Sequence, residues 1–94
     1  MNIRFHDTAL RDLQHIRDTI SQDNPRAADN IILRIDHSIS LLEQFPRIGR
    51  PGGVEDTREL SVPKTPYIVV YEEPDEFEIW ILTVIHERQQ YPPE

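Results

Sequence analysis

The chain has no cysteine, which removes disulfide scaffolds, thiol nucleophiles and zinc–thiolate sites together and is compatible with a reducing compartment. It is also short of lysine: nine of its ten basic residues are Arg, and Lys64 stands alone. With 10 Lys+Arg against 17 Asp+Glu, the net charge is −7. Nucleic-acid affinity rests on neutralising phosphates with basic side chains, so the bulk field of this chain opposes it. Long apolar runs are missing as well. No stretch approaches the roughly 20 apolar residues of a membrane span, and the segment Met1 to Leu10 lacks a signal-peptide core. The chain therefore reads as soluble and cytoplasmic. At 94 residues it reads as one domain with a thin core, which leaves room for a partner to cover apolar surface.

What charge there is lies unevenly. Through Arg50 the chain carries seven acidic and seven basic residues; the remainder carries ten and three, so the whole excess sits in the later part. Glu72, Glu73, Asp75, Glu76 and Glu78 crowd around Pro74, as in a solvated turn between strands. The bias toward Arg suits planar, bidentate contacts to carboxylate or phosphate. Composition does not choose between those two ligands.

Ile3 and Phe5 alternate with polar neighbours and predict a short opening strand. Asp7 or Thr8 can cap a helix that runs from about Thr8 to Gln22, because Ala9, Leu13, Ile16 and Ile20 recur at helical spacing. Asn24 and Pro25 then supply a cap and a first helical residue. The second helix carries Ala28, Ile31, Ile35, Ile39 and Leu42 on one face and stops near Phe45-Pro46. So short a turn folds the two helices into an antiparallel hairpin. All three glycines fall within Gly49 to Gly53, which marks a loop with a fixed path but no phosphate-cradling signature.

Three strand-like runs follow, Thr57 to Val62, Tyr67 to Tyr71 and Phe77 to Ile85. Simple alternation in the last puts Phe77, Ile79, Ile81 and Ile85 on one side and Trp80, Leu82 and Val84 on the other, so both sides are apolar. A helix hairpin covers only one side. The remaining face needs the tail or another molecule, and a tail ending in Tyr91-Pro92-Pro93 is a poor lid. The expected class is α+β, ordered β-α-α-β-β-β, with the hairpin packed on a small antiparallel sheet.

His6, His15, His37 and His86 are scattered and make no metal-ligand spacing with one another, and no serine sits in a glycine-framed elbow. The segment from Val84 to Arg88 is more specific. If the strand persists, His86 and Arg88 project to one side, with Arg58, Arg50 and Tyr91 as candidate neighbours. Such a patch can grip an anionic or polar partner group, or Arg58 and Arg88 can simply pair with nearby glutamates. The residues alone leave both readings open.

Taken in order, several pieces carry a resemblance. They are Ala9…Asp12-Leu13…Ile16…Ile20, Asn24-Pro25-Arg26-Ala27-Ala28, Ile35…Ile39…Leu42…Phe45-Pro46…Gly49-Arg50-Pro51, Thr57-Arg58-Glu59-Leu60, Tyr67-Ile68-Val69-Val70-Tyr71, and Ile81 to Arg88. Over nearly its whole length the chain resembles the RelE/ParE superfamily of toxins from type II toxin–antitoxin pairs, and more closely the ParE branch.

The resemblance implies a cognate antitoxin that wraps the toxin and covers its apolar surface. Trp80, Leu82 and Val84, with the acids Glu72, Glu73 and Glu76, are the expected antitoxin contacts. RelE-like members are ribosome-dependent endoribonucleases that stabilise phosphate charge with basic side chains; ParE-like members poison DNA gyrase by contact. Aligned on Tyr67, this chain has Ile68 where the ribonuclease has Arg, and Glu59 and Ser61 near its lysines. An isoleucine cannot offset phosphate charge, and a glutamate opposes it. The expectation is therefore a gyrase-directed toxin without catalytic residues or cofactor, whose target patch is Arg58, His86, Arg88 and Tyr91. The alternatives are a RelE-like nuclease and an inactive antitoxin-binding module.

Overall fold

A computed structural model describes residues 1–92. Strand β1 (Asn2–Phe5) leads into helix α1 (Asp7–Ser21) and helix α2 (Pro25–Leu41). Strands β2 (Arg50–Pro51), β3 (Thr57–Ser61), β4 (Tyr67–Glu72) and β5 (Glu78–His86) follow. No helix among the described residues is long and apolar enough to cross a membrane.

The cap of α1 falls one residue before the expected pair: His6 accepts the Thr8 amide on Nδ1 at 3.3 Å. At α2 the expected chemistry holds, with Asn24 Oδ1 accepting the Ala27 amide at 3.1 Å and Pro25 in the first turn. Ala9 and Ile16 of α1 meet Ala28, Ile32, Ile35 and Ile39 of α2 as buried residues of the hairpin's inner face. The Arg17–Asp29 pair at 3.0 Å links the helices on their solvent side, where it adds little stability.

The five strands form one sheet in the order β1-β5-β4-β3-β2. An all-antiparallel sheet was the expectation; instead β1 runs parallel to β5, with Phe5 opposite Ile81, and the sheet is mixed. A long crossover permits a parallel neighbour, and the whole hairpin lies between these strands in the chain. The glycine loop adds the two-residue β2, where Arg50 faces Glu59.

Strand β5 carries a β-bulge. Thr83 lies opposite Val70 and Ile81 opposite Tyr71, so Leu82 has no counterpart on β4. An unopposed residue shifts the strand's phase. Before it, Ile79 and Ile81 face the helices; beyond it Val84, 4% exposed, joins the same core with Val69 and Tyr71. Ile85 turns instead to the far face beside Ile68. This corrects the alternation expected from the sequence. Val84 belongs to the helix-side core and leaves the proposed antitoxin surface, while Trp80 and Leu82 remain half-buried.

The far face is also covered by the chain itself. Val70 is fully buried without belonging to the helix-side core. Its neighbour Glu59 accepts the Gly53 amide at 3.3 Å, which draws the glycine loop over this face. The tail meets the loop there: a Cβ on Gly53 would stand 2.8 Å from the Tyr91 carbonyl oxygen. The tail is a better lid than its prolines suggest, because the contact is made by backbone against a residue that has no side chain.

Candidate functional site

The proposed target residues do not form one patch. Arg58 sits on β3 opposite Tyr71, on the helix side of the sheet. Its guanidinium donates to the Gly49 carbonyl at 2.8 Å and the Arg47 carbonyl at 3.4 Å. Tyr71 completes the anchor: its hydroxyl donates to the Pro46 carbonyl at 2.9 Å and accepts the Gly49 amide at 3.0 Å. Gly49 is required here because a Cβ would stand 2.7 Å from that hydroxyl. Burial pushes the Tyr71 phenol above its ordinary pKa; the Gly49 amide and the Arg58 charge oppose that rise, and Glu73 adds to it. Arg58 is thus a holder of the loop, a role that neither sequence reading anticipated.

His86, Arg88 and Tyr91 stay close to one another. The strand stops at His86, so Arg88 does not continue its phase. The chain turns instead, with the His86 Nδ1 accepting the Arg88 amide at 3.2 Å. The His86 ring meets Tyr67 edge-on, with centroids 5.7 Å apart. Arg88 and Tyr91 line a cleft of about 860 Å³ with His6, Asp12, Leu82 and Gln89.

The cleft exists because β1 is short. Its pairing ends at Phe5, and β5 runs on past Ile81 with one edge open. An open edge presents unpaired backbone groups to any passing strand. Side chains fill this one. The Asp12 carboxylate accepts the Val84 amide at 3.0 Å and the Thr83 hydroxyl, and Gln89 Oε1 accepts the His86 amide at 2.7 Å. Neither Asp12 nor Gln89 stands among the candidate contacts read from the sequence. The one available signal was that Asp12 adjoins Leu13 at the border of the apolar stripe.

The chemistry on offer is recognition. Among the described residues the Arg88 guanidinium makes no ion pair, whereas Arg50 is held by Glu59 at 3.2 Å and Ser61 at 2.9 Å. No group of three His, Cys, Asp or Glu side chains that could hold a metal ion gathers among the described residues. The acids around Pro74 form the turn read from composition: Asp75 Oδ1 accepts the amides of Phe77 at 2.8 Å and Glu78 at 3.0 Å. Glu73 pairs with Arg47 at 3.5 Å, Glu72 lies opposite Trp80, and Glu76 is exposed.

Known structures share this architecture. A chain of the chromosomal ParDE TA system from P. aeruginosa superposes with a TM-score of 0.81 at 25% identity, over 92% of this chain and 95% of that one. A chain of the toxin-antitoxin complex RelBE2 from Mycobacterium tuberculosis superposes with a TM-score of 0.59 at 26% identity, over 90% of this chain and 88% of its own. The fold is that of the RelE/ParE toxins.

Sequence narrows the class. The protein named "Putative toxin Y4kP" of Sinorhizobium fredii is 41% identical over 90 residues, which are 96% of this chain and 92% of that protein. Residues 3–91 match the family described as the ParE toxin of type II toxin-antitoxin system, parDE, and the chain belongs to that family.

Proposed function

We propose that this chain is a toxin that inhibits DNA gyrase by protein–protein contact, without acting as an enzyme, and that a cognate antitoxin neutralises it. The observation that carries the reading is the state of the basic side chains near the sheet. Arg50 is engaged by Glu59 and Ser61, Arg58 by backbone carbonyls, and among the described residues only Arg88 presents an uncommitted guanidinium to the cleft. Ile68 lies between Ser61 and Ile85 and supplies no cation of its own. Phosphoryl-transfer chemistry on RNA needs several converging cations and a proton donor; contact with a protein needs one anchor in a cleft.

Arg88, Tyr91 and His86 are the proposed target contacts, and Arg58 acts only through the loop it holds. The ParDE and RelBE2 relatives are toxin–antitoxin assemblies, which supports an antitoxin partner here. Its proposed contacts are Trp80 and Leu82 with Glu72, Glu73 and Glu76. Gyrase and antitoxin both place the protein in the cytoplasm. The test is a supercoiling assay with the purified chain. Inhibition with accumulation of cleaved DNA is expected; intact supercoiling activity at micromolar toxin sinks the proposal, and cleavage of ribosome-bound message would replace it with the nuclease reading.

A further inference from the structure

Of the six exposed large hydrophobic side chains among the described residues, four gather at one end of the molecule: Leu41 (37% exposed), Phe45 (52%), Ile48 (46%) and Phe77 (67%). The first three form a ridge, because the chain beyond α2 stays tightly turned: the Phe45 amide donates to the Leu41 carbonyl at 2.9 Å and the Ile48 amide to the Phe45 carbonyl at 3.3 Å. Phe77 belongs to the turn between β4 and β5. Two ties bring that turn beside the ridge. Met1 and the first residue of β1 reach both, with the Met1 nitrogen 3.5 Å from the Glu43 carbonyl and the Asn2 amide 2.9 Å from the Phe77 carbonyl. The Arg47–Glu73 pair at 3.5 Å makes the second tie.

Among the described residues, unpaired carboxylates outnumber unpaired cations around this apolar end, where the N-terminal ammonium meets the Glu43 carbonyl. Glu43, Asp75 and Glu76 are exposed and make no ion pair among the described residues. Arg47, the nearby cation on the loop, is already committed to Glu73, and Arg4 on β1 to Glu78 at 3.5 Å. A contiguous apolar patch of this kind marks a contact site in a small protein. A second copy of the chain is a poor occupant, since its own Glu43, Asp75 and Glu76 would face their counterparts.

We infer that the end formed by Leu41 to Ile48 and the Glu73 to Phe77 turn is a docking surface for a segment of another protein that presents large apolar side chains beside Lys or Arg. The surface lies away from the Arg88 cleft; it shares Glu73 and Glu76 with the antitoxin contacts proposed above, but the inference stands on the apolar end itself and not on that partner. It specifies what the partner segment must look like: apolar side chains seated on Phe45 and Phe77, and cations reaching Glu43 and Glu76.

The test uses the full chain, labelled with nitrogen-15, and two helical peptides with apolar residues at i, i+3, i+4 and i+7, one of leucine and lysine and one of leucine and glutamate. The lysine peptide should shift amide resonances of residues 41–48 and 73–77, and the glutamate peptide should shift none. Phe45→Ser combined with Phe77→Ser should weaken the lysine peptide by about tenfold or more, as for anchor residues at an interface. Both positions are exposed, so the remaining resonances should stay where they are. Glu43→Lys with Glu76→Lys should reverse the preference between the peptides. Shifts centred on α1 or on the Arg88 cleft, equal binding of both peptides, or undiminished affinity in the serine variant would overturn the inference.

Discussion

Asp12 on α1 and Val84 on β5 stand 72 residues apart in sequence and are joined by a hydrogen bond of 3.0 Å from the Val84 amide to the Asp12 carboxylate. This bond occupies the sheet edge that β1 is too short to pair. Asp12→Ala leaves the Val84 amide and the Thr83 hydroxyl without their partner. The expected cost is about 1–3 kcal/mol, read as a lower urea midpoint with an unchanged slope. The variant should also self-associate at high concentration, since an edge without its plug recruits strands.

Tyr71 controls the alkaline limit. Burial raises its pKa in the folded protein above the unfolded value, so the folded state prefers the neutral phenol. That preference is fully present below about pH 10 and is lost as the pH rises through the folded value. Unfolding free energy, measured by denaturant titration across this range, should fall with rising pH. Tyr71→Phe should flatten this limb relative to the wild type and cost about 1–3 kcal/mol at neutral pH, where the Gly49 amide and Pro46 carbonyl lose the hydroxyl.

Gly53→Ala separates the tail from the loop. The added Cβ would come within 2.8 Å of the Tyr91 carbonyl oxygen, and the tail must move away from the sheet. Val70 and Ile85 then lose part of their cover. An apolar dye such as ANS should fluoresce more strongly with the variant than with the wild type under native conditions. Equal fluorescence would mean that the face is covered without the tail.

The two arginines of the original patch should part company in experiments. Arg88→Ala should change stability by no more than about 0.5 kcal/mol, as for an exposed side chain, while greatly reducing gyrase inhibition. Arg58→Ala removes the donor to the Gly49 and Arg47 carbonyls, so it should cost about 1–3 kcal/mol. Its inhibition should recover in assays run well below the unfolding transition. Equal losses in both variants would return Arg58 to the contact surface.

These contrasts show which parts of the molecule are legible in its residues. Local signals carried the hairpin: Asn24 and Pro25 start α2 as their chemistry requires, and the isoleucines at helical spacing are the ones that face the sheet. The glycine loop was legible as a close approach, and none of its glycines has positive φ; Asp56 at 66° and Lys64 at 63° take the left-handed positions. What Gly49 and Gly53 approach was not legible, because Tyr71 and Tyr91 arrive from 22 and 38 positions further along the chain. The parallel pairing of β1 and the plug by Asp12 are non-local for the same reason. Leu82 was hidden differently. A bulge leaves no mark on an apolar run, since Trp80, Leu82 and Val84 read as the same kind of residue whichever way they point.

The extra residue at Leu82 gives β5 a change of parity. Odd-numbered positions, Ile79 and Ile81, serve the helices in its first half, and even-numbered ones, Val84 and His86, serve them in its second. Deleting Leu82 would close the bulge and leave Val84 and His86 facing the helices, because Ile81 and Thr83 already lie opposite adjacent residues of β4; pairing Leu82 into a regular ladder would instead send Val84 and His86 outward and draw Ile85 in. Arg88 hangs from the far end of this count. Its address in the cleft thus depends on one leucine, six places earlier, staying out of the ladder: the same residues paired without the bulge would carry the contact end of the chain from one side of the sheet to the other while the scaffold stays as it was.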